Sequence, residues 1–259
     1  MVNKRVYIIL FIILAVFLVV MFLVFGKNNI KQESVREILV VGDSTVWEYS
    51  KKKWYKITYK SSLQELSWKK YKVFSNNEEL GDYYLWHNDK WYVFDDEKNP
   101  INIDGDMFAY SANFDLKVKN FTTDNISNME YVNYVLEKNN ISTSSKFTSQ
   151  YKITLDYDND GVEEDFYMIS NAFPMDFIPE KSFSIAFMVK DNNIYYIYKD
   201  IADYRGFNGC KPFYSEFLDV DDDNMYEFIL SCNDYSVSKR IDMLYQFSDG
   251  SFKIAISNQ

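Results

Sequence analysis

Hydrophobic positions fall into two regimes along this chain. From Val6 to Phe25 they run unbroken for 20 residues, with Lys4 and Arg5 just before them. At 1.5 Å rise per residue, a helix of that length spans the roughly 30 Å hydrocarbon core of a bilayer. From Ile38 onward the pattern becomes short apolar and aromatic stretches separated by polar turns, which predicts β-strands. One segment departs from this. Ser127-x-x-Glu130 has capping-box spacing, Met129, Val132, Val135 and Leu136 recur at helical intervals, and Asn139-Asn140 supplies a stop. Together they predict an amphipathic helix near 127–138.

Among the strands, a Gly-Asp motif recurs at Gly42-Asp43, Gly81-Asp82 and, more faintly, Gly105-Asp106. After the first two copies the chain reads strand, polar turn, strand: Val46–Tyr49 with Trp54–Ile57, then Leu85–His87 with Trp91–Phe94. These are β-hairpins with an aromatic on each arm, and His87 reads as an exposed residue at such a turn. Beyond the helix, strands are expected at 151–157, 165–171, 182–190, 194–200, 213–220, 226–232, 240–247 and 251–257. Asp191-Asn192-Asn193 is a hairpin turn between two of them. The fold class is therefore mainly β: an N-terminal transmembrane helix, then antiparallel hairpins and a meander of propeller-blade-like sheets with one amphipathic helix. The domains read as 1–25 tail and anchor, 26–36 linker, 37–121 hairpin region, and 122–259 helix plus antiparallel β domain.

The rival to an anchor is a cleaved signal peptide. Signal h-regions run about 7–15 residues and end at a small-residue cleavage site. Here Ala15 is the only small residue in the run, and Phe22–Phe25 stands where that site belongs. The short cationic N-terminus sets a signal-anchor orientation with residues 26–259 outside the cell membrane. The inverted orientation would leave the domain in the cytosol.

Composition narrows the function. A net charge of −10 disfavours a grip on nucleic-acid phosphates. The single histidine removes most histidine-based zinc sites and makes a Ser-His-Asp triad a poor expectation. No glycine-rich phosphate loop is present. Cys210 and Cys232 read either as a disulfide between neighbouring hairpins or as two buried thiols.

Two segments carry recognisable chemistry. Asp156, Asp158, Asp160 and Glu164 stand at positions 1, 3, 5 and 9 of one loop; Asp219, Asp221, Asp223 and Glu227 hold the same positions 63 residues later. Position 6 is Gly161 in the first and Asn224 in the second, where a sharp turn needs positive φ. Alternating oxygens on a tight loop suit a hard cation such as Ca²⁺, with the position-7 carbonyl of Val162 or Met225 completing the arc. Neither is an EF-hand, since position 12 is Tyr167 or Leu230. Without a cation, four carboxylates on one turn repel each other and some pKa values should rise.

The loops resemble the D-x-D-x-D-G-x-x-E/D loops of FG-GAP/VCBS-type repeats, found in integrin α-subunit β-propellers and many bacterial surface proteins. The resemblance covers roughly residues 145–259. It implies structural Ca²⁺ held by Asp156, Asp158, Asp160 and Glu164, and by Asp219, Asp221, Asp223 and Glu227. The expectation is a single-pass extracytoplasmic binding or scaffolding protein, held to the membrane by its N-terminal helix and facing an extracellular protein or glycan. The alternative is a cell-wall hydrolase using a carboxylate pair, although the sequence selects no pair and names no catalytic residue.

Overall fold

The computed structural model describes residues 36–172, 181–202, 210–234 and 239–259. The Val6–Phe25 run lies outside them. Among the described residues no helix is long and apolar enough to cross a membrane. Glu37–Gln259 form one compact unit, so the boundary expected near residue 122 falls within a single body.

The first part of that body is an eight-stranded antiparallel sheet. Two meanders, β1 (Glu37–Val41), β2 (Thr45–Ser50), β3 (Lys53–Lys56) and β4 (Lys69–Ser75), β5 (Glu78–Asn88), β6 (Lys90–Phe94), β7 (Pro100–Ile101), are joined by β8 (Met107–Ser111). The order is β3-β2-β1-β8-β4-β5-β6-β7. Both expected hairpins form, β2 with β3 and β5 with β6. His87 is not an exposed turn residue: it lies on β5, half-buried, its ring edge-on to Trp91 at 5.0 Å.

Two five-stranded sheets follow. The outer sheet runs β10 (Thr122–Asp124), β11 (Ser149–Leu155), β12 (Glu164–Ser170), β13 (Ser182–Lys190), β14 (Asn193–Ala202). The middle sheet consists of β15 (Cys210–Asp219), β16 (Glu227–Asp234), β17 (Lys239–Ser248) and β18 (Ser251–Ser257), with β9 (Lys117–Val118) on the free edge of β15. Each sheet is thus a four-stranded meander plus one short edge strand, and segment 117–124 supplies the edge strand of both. All eight strands expected after the helix are present.

The layers follow from strand parity, because successive side chains point to opposite faces. On β12, Phe166 and Met168 join Phe217, Phe228 and Leu230 of the middle sheet in one core. Tyr167 and Ile169 point the other way, against a helix. On β16, Ile229 packs with Leu39, Trp47 and Phe108 of the eight-stranded sheet. The order is therefore helix, eight-stranded sheet, middle sheet, outer sheet, helix. Sheets covered on both faces need apolar residues at nearly every position, which explains the continuous runs of β1, β8, β13 and β16.

Helix α1 (Lys60–Leu66) caps the eight-stranded sheet with Leu63 and Leu66; no periodicity in the sequence had announced it. Helix α2 (Glu130–Lys138) caps the outer sheet with Val132, Val135 and Leu136, all fully buried. Each such side chain stabilises by about 1.5–3 kcal/mol. The expected capping box does not form. Asn128 Oδ1 accepts the Glu130 amide at 2.9 Å, and this local Asx turn starts the helix at Glu130 and leaves Ser127 outside it. The stop is as expected: Asn140 takes φ +55°, while Asn140 N and Ile141 N bond Glu137 O and Leu136 O, a Schellman closure.

Candidate metal sites

The two acidic loops occupy the same place in their repeats, between β11 and β12 and between β15 and β16. Each loop's first aspartate directly follows a buried leucine, Leu155 or Leu218, and each loop is closed by a buried glutamate. Glu164 Oε2 accepts the Tyr157 amide at 2.9 Å; Glu227 Oε2 accepts the Val220 amide at 3.1 Å. Within each loop the position-5 aspartate accepts the position-7 amide at 2.8 Å, Asp160 from Val162 and Asp223 from Met225. Positions 4 and 6 are left-handed in both: Asn159 and Gly161 at φ +53° and +87°, Asp222 and Asn224 at +60° and +66°. Asn224 adopts the geometry that glycine takes in the first loop. Nine residues of shared pattern give one shared backbone, and the loops touch, with Asn159 Nδ2 donating to Asn224 O at 2.9 Å.

Their side chains converge. Asp156, Asp158 and Glu164 each offer one oxygen within 4.8 Å of the others, as do Asp219, Asp221 and Asp223. Each group brings together side-chain oxygens of the kind a metal ion takes as ligands. Of the other expected ligands, Asp160 stands beside the first group through Lys190. Glu227 turns one oxygen to the loop backbone and the other to Gln246 Nε2 at 3.0 Å. Orphaned oxygens fit a cation: Asp156 Oδ1, Asp158 Oδ1 and Asp219 Oδ1 are buried with no hydrogen-bond partner among the described residues. Asp219 is only 1% exposed, and a buried acceptor left unmet destabilises by about 1–3 kcal/mol.

The electrostatics of the loops diverge. Lys190 Nζ lies 2.8 Å from Asp158 Oδ2, 2.8 Å from Asp160 Oδ2 and 2.7 Å from Glu164 Oε1. Partial burial opposes its charge, but these three carboxylates hold the ammonium well above the ordinary lysine range. In return, the Lys190 hydrogen bond pulls the Asp160 carboxyl down. The second loop moves the other way. Burial, then the charges of Asp223 and Asp219, push Asp221 up, and burial pushes Glu227 up to about 7. Its basic neighbour, Lys117, is an exposed side chain on the rim, bonded to Asp222 and 3.5 Å from Asp219 Oδ2.

Lys190 was not among the residues singled out from sequence. It faces Glu164 across the ladder, because Asp165 pairs with Val189; Gln246 faces Glu227 in the same way, because Phe228 pairs with Tyr245. The sequence separations differ, 26 against 19 residues. A fixed 63-residue offset therefore does not align the two.

Cys210 and Cys232 form a disulfide between β15 and β16, with Cα atoms 5.2 Å apart. Closing 22 residues stabilises by roughly 3 kcal/mol in the chain-entropy picture. A second buried site lies where β17 meets the eight-stranded sheet. Asp242, fully buried, accepts Thr45 Oγ1 at 2.5 Å, Ser231 Oγ at 2.6 Å, Arg240 Nε at 2.7 Å and Asn258 Nδ2 at 3.0 Å. Arg240 also reaches Asp106 at 2.8 Å and covers the Phe213 ring. Gly42, at φ +58°, allows this: a Cβ there would stand 2.5 Å from Arg240 Cζ. Every side-chain oxygen of Asp242 is engaged, which marks a structural knot and not a reactive group.

No protein-family model matches the chain, and neither a curated protein nor a solved structure matches it.

Proposed function

We propose that residues 37–259 are the extracytoplasmic module of a single-pass membrane protein, anchored by residues 6–25, that binds or scaffolds an extracellular protein or glycan and is stiffened by Ca²⁺ on its acidic loops. The observation that carries the calcium reading is the shared geometry of the two loops, with buried carboxylate oxygens left unpartnered in each. A hard cation that favours oxygen ligands is the chemistry such a cradle suits, with affinity of about 10⁻⁴–10⁻³ M in extracellular modules. The buried disulfide supports an oxidising compartment.

The propeller-like reading also gains support. The Phe166 face of the first meander packs on the middle sheet, and the corresponding Ile229 face of the second packs on the eight-stranded sheet. The copies are stacked head to tail, as successive blades are. The hydrolase alternative gains one desolvated carboxyl, Glu227. Both of its oxygens are occupied by the loop backbone and Gln246, and Glu164 is pinned likewise, so loop closure accounts for the pair better than proton transfer does.

The test is thermal melting of the full chain in detergent, stripped with chelator and then given millimolar Ca²⁺ or Mg²⁺. At 100 times Kd a ligand bound only by the native state adds about 2.7 kcal/mol, a shift of several degrees. A Ca²⁺-selective rise supports the reading; no shift with either ion overturns it.

A further inference from the structure

The two loops share a backbone yet differ in what faces their closing glutamate, and this decides which of them has room for an ion. Resting on the calcium reading above, we infer that the chain carries one exchangeable divalent-cation site, at Asp219, Asp221 and Asp223, and that the first loop is closed by its own cation, the Lys190 ammonium.

Lys190 Nζ is within 2.8 Å of three of the four expected ligands of the first loop. Calcium sits 2.3–2.6 Å from its oxygens, so an ion sharing those ligands would overlap the ammonium and meet its like charge. Asp156 Oδ1 and Asp158 Oδ1 remain without partners, but two oxygens beside a fixed positive charge do not make a cation site. In the second loop the corresponding residue is Gln246, neutral and turned to Glu227. Asp219 Oδ1 is unpartnered on a side chain with no solvent exposure. Lys117 sits on the rim, reaching Asp219 by its other oxygen and Asp222, which is not a ligand position. Lys52 acts on Asp221 only electrostatically. Among the described residues, the interior of the second loop is therefore anionic and no cationic side chain fills it.

Calorimetric Ca²⁺ titration of the chelator-stripped full chain tests this. One ion per chain is expected, abolished at millimolar Ca²⁺ by Asp219→Asn and retained in Asp158→Asn. Lys190→Gln, which copies the residue already present in the second repeat, is expected to raise the count to two. Two ions on the native chain would overturn the inference and leave the calcium reading standing, as would one ion lost in Asp158→Asn and kept in Asp219→Asn. No ion on the native chain would overturn both. The native count and the two aspartate variants decide the matter even where Lys190→Gln fails to fold.

Discussion

The turn between β11 and β12 and the turn between β15 and β16 are built on one plan and neutralised in two ways. In the first, a lysine from the neighbouring strand lies among the carboxylates and lowers the Asp160 pKa. In the second, a glutamine takes that place, and Asp221 and Glu227 are driven up instead. The pattern of aspartates sets the loop's backbone. A single residue across the ladder sets its charge. The contrast extends into the packing: where Met168 and Ala186 pair on the face between outer and middle sheets, Ser231 and Asp242 pair on the face between middle and eight-stranded sheets. At these equivalent positions one interface is apolar and the other holds a buried ionic knot.

The largest effect is expected at that knot. Asp242→Ala strips Arg240, Ser231, Thr45 and Asn258 of their common acceptor. It should destabilise by about 3–5 kcal/mol in denaturant unfolding, as breaking a buried charged pair does; a loss below about 1 kcal/mol would show the knot to be dispensable. Next comes the disulfide, which the first repeat lacks. Cys210→Ala with Cys232→Ala should lose about 3 kcal/mol, measured by the same unfolding curves against the oxidised chain. Gln246→Lys would make the second loop resemble the first. It should stabilise the calcium-free chain by about 1 kcal/mol and erase the Ca²⁺-dependent melting shift; a shift that survives would refute the charge argument. The smallest change is Asn224→Gly, which removes the strain of a left-handed asparagine. About 0.5 kcal/mol of added stability is expected, read as a rise of a degree or two in melting temperature.

Much of this architecture was legible in the sequence. Short apolar and aromatic stretches bounded by turn residues located the hairpins and all eight later strands, since local backbone preference and burial agree there. The acidic loops were visible because their ligands lie on one continuous segment. What escaped has a common cause, dependence on residues distant in the chain. Helix α1 spans seven residues, too few to display a period, and is held by Leu63 and Leu66 against the sheet. Lys190 acquires its role only through the pairing of β12 with β13. Asp242 resembles any strand aspartate until Thr45 arrives from 197 residues away. The misplaced capping box is a different failure: two local hydrogen-bonding options competed, and Asn128 offered the shorter reach.

The Thr45–Asn258 contact bears on how the chain is made. Asn258 Nδ2 donates to Thr45 Oγ1 at 2.6 Å across 213 residues. All strands of the eight-stranded sheet lie before residue 112, so they are synthesised long before residue 258, and until then the face of Leu39, Trp47 and Phe108 has no complete middle sheet to cover it. Contacts so distant along the chain form slowly, and uncovered apolar strands invite aggregation. A nascent chain of this topology therefore carries that apolar face without its cover for the last half of its elongation, the interval in which association with other chains is most favoured.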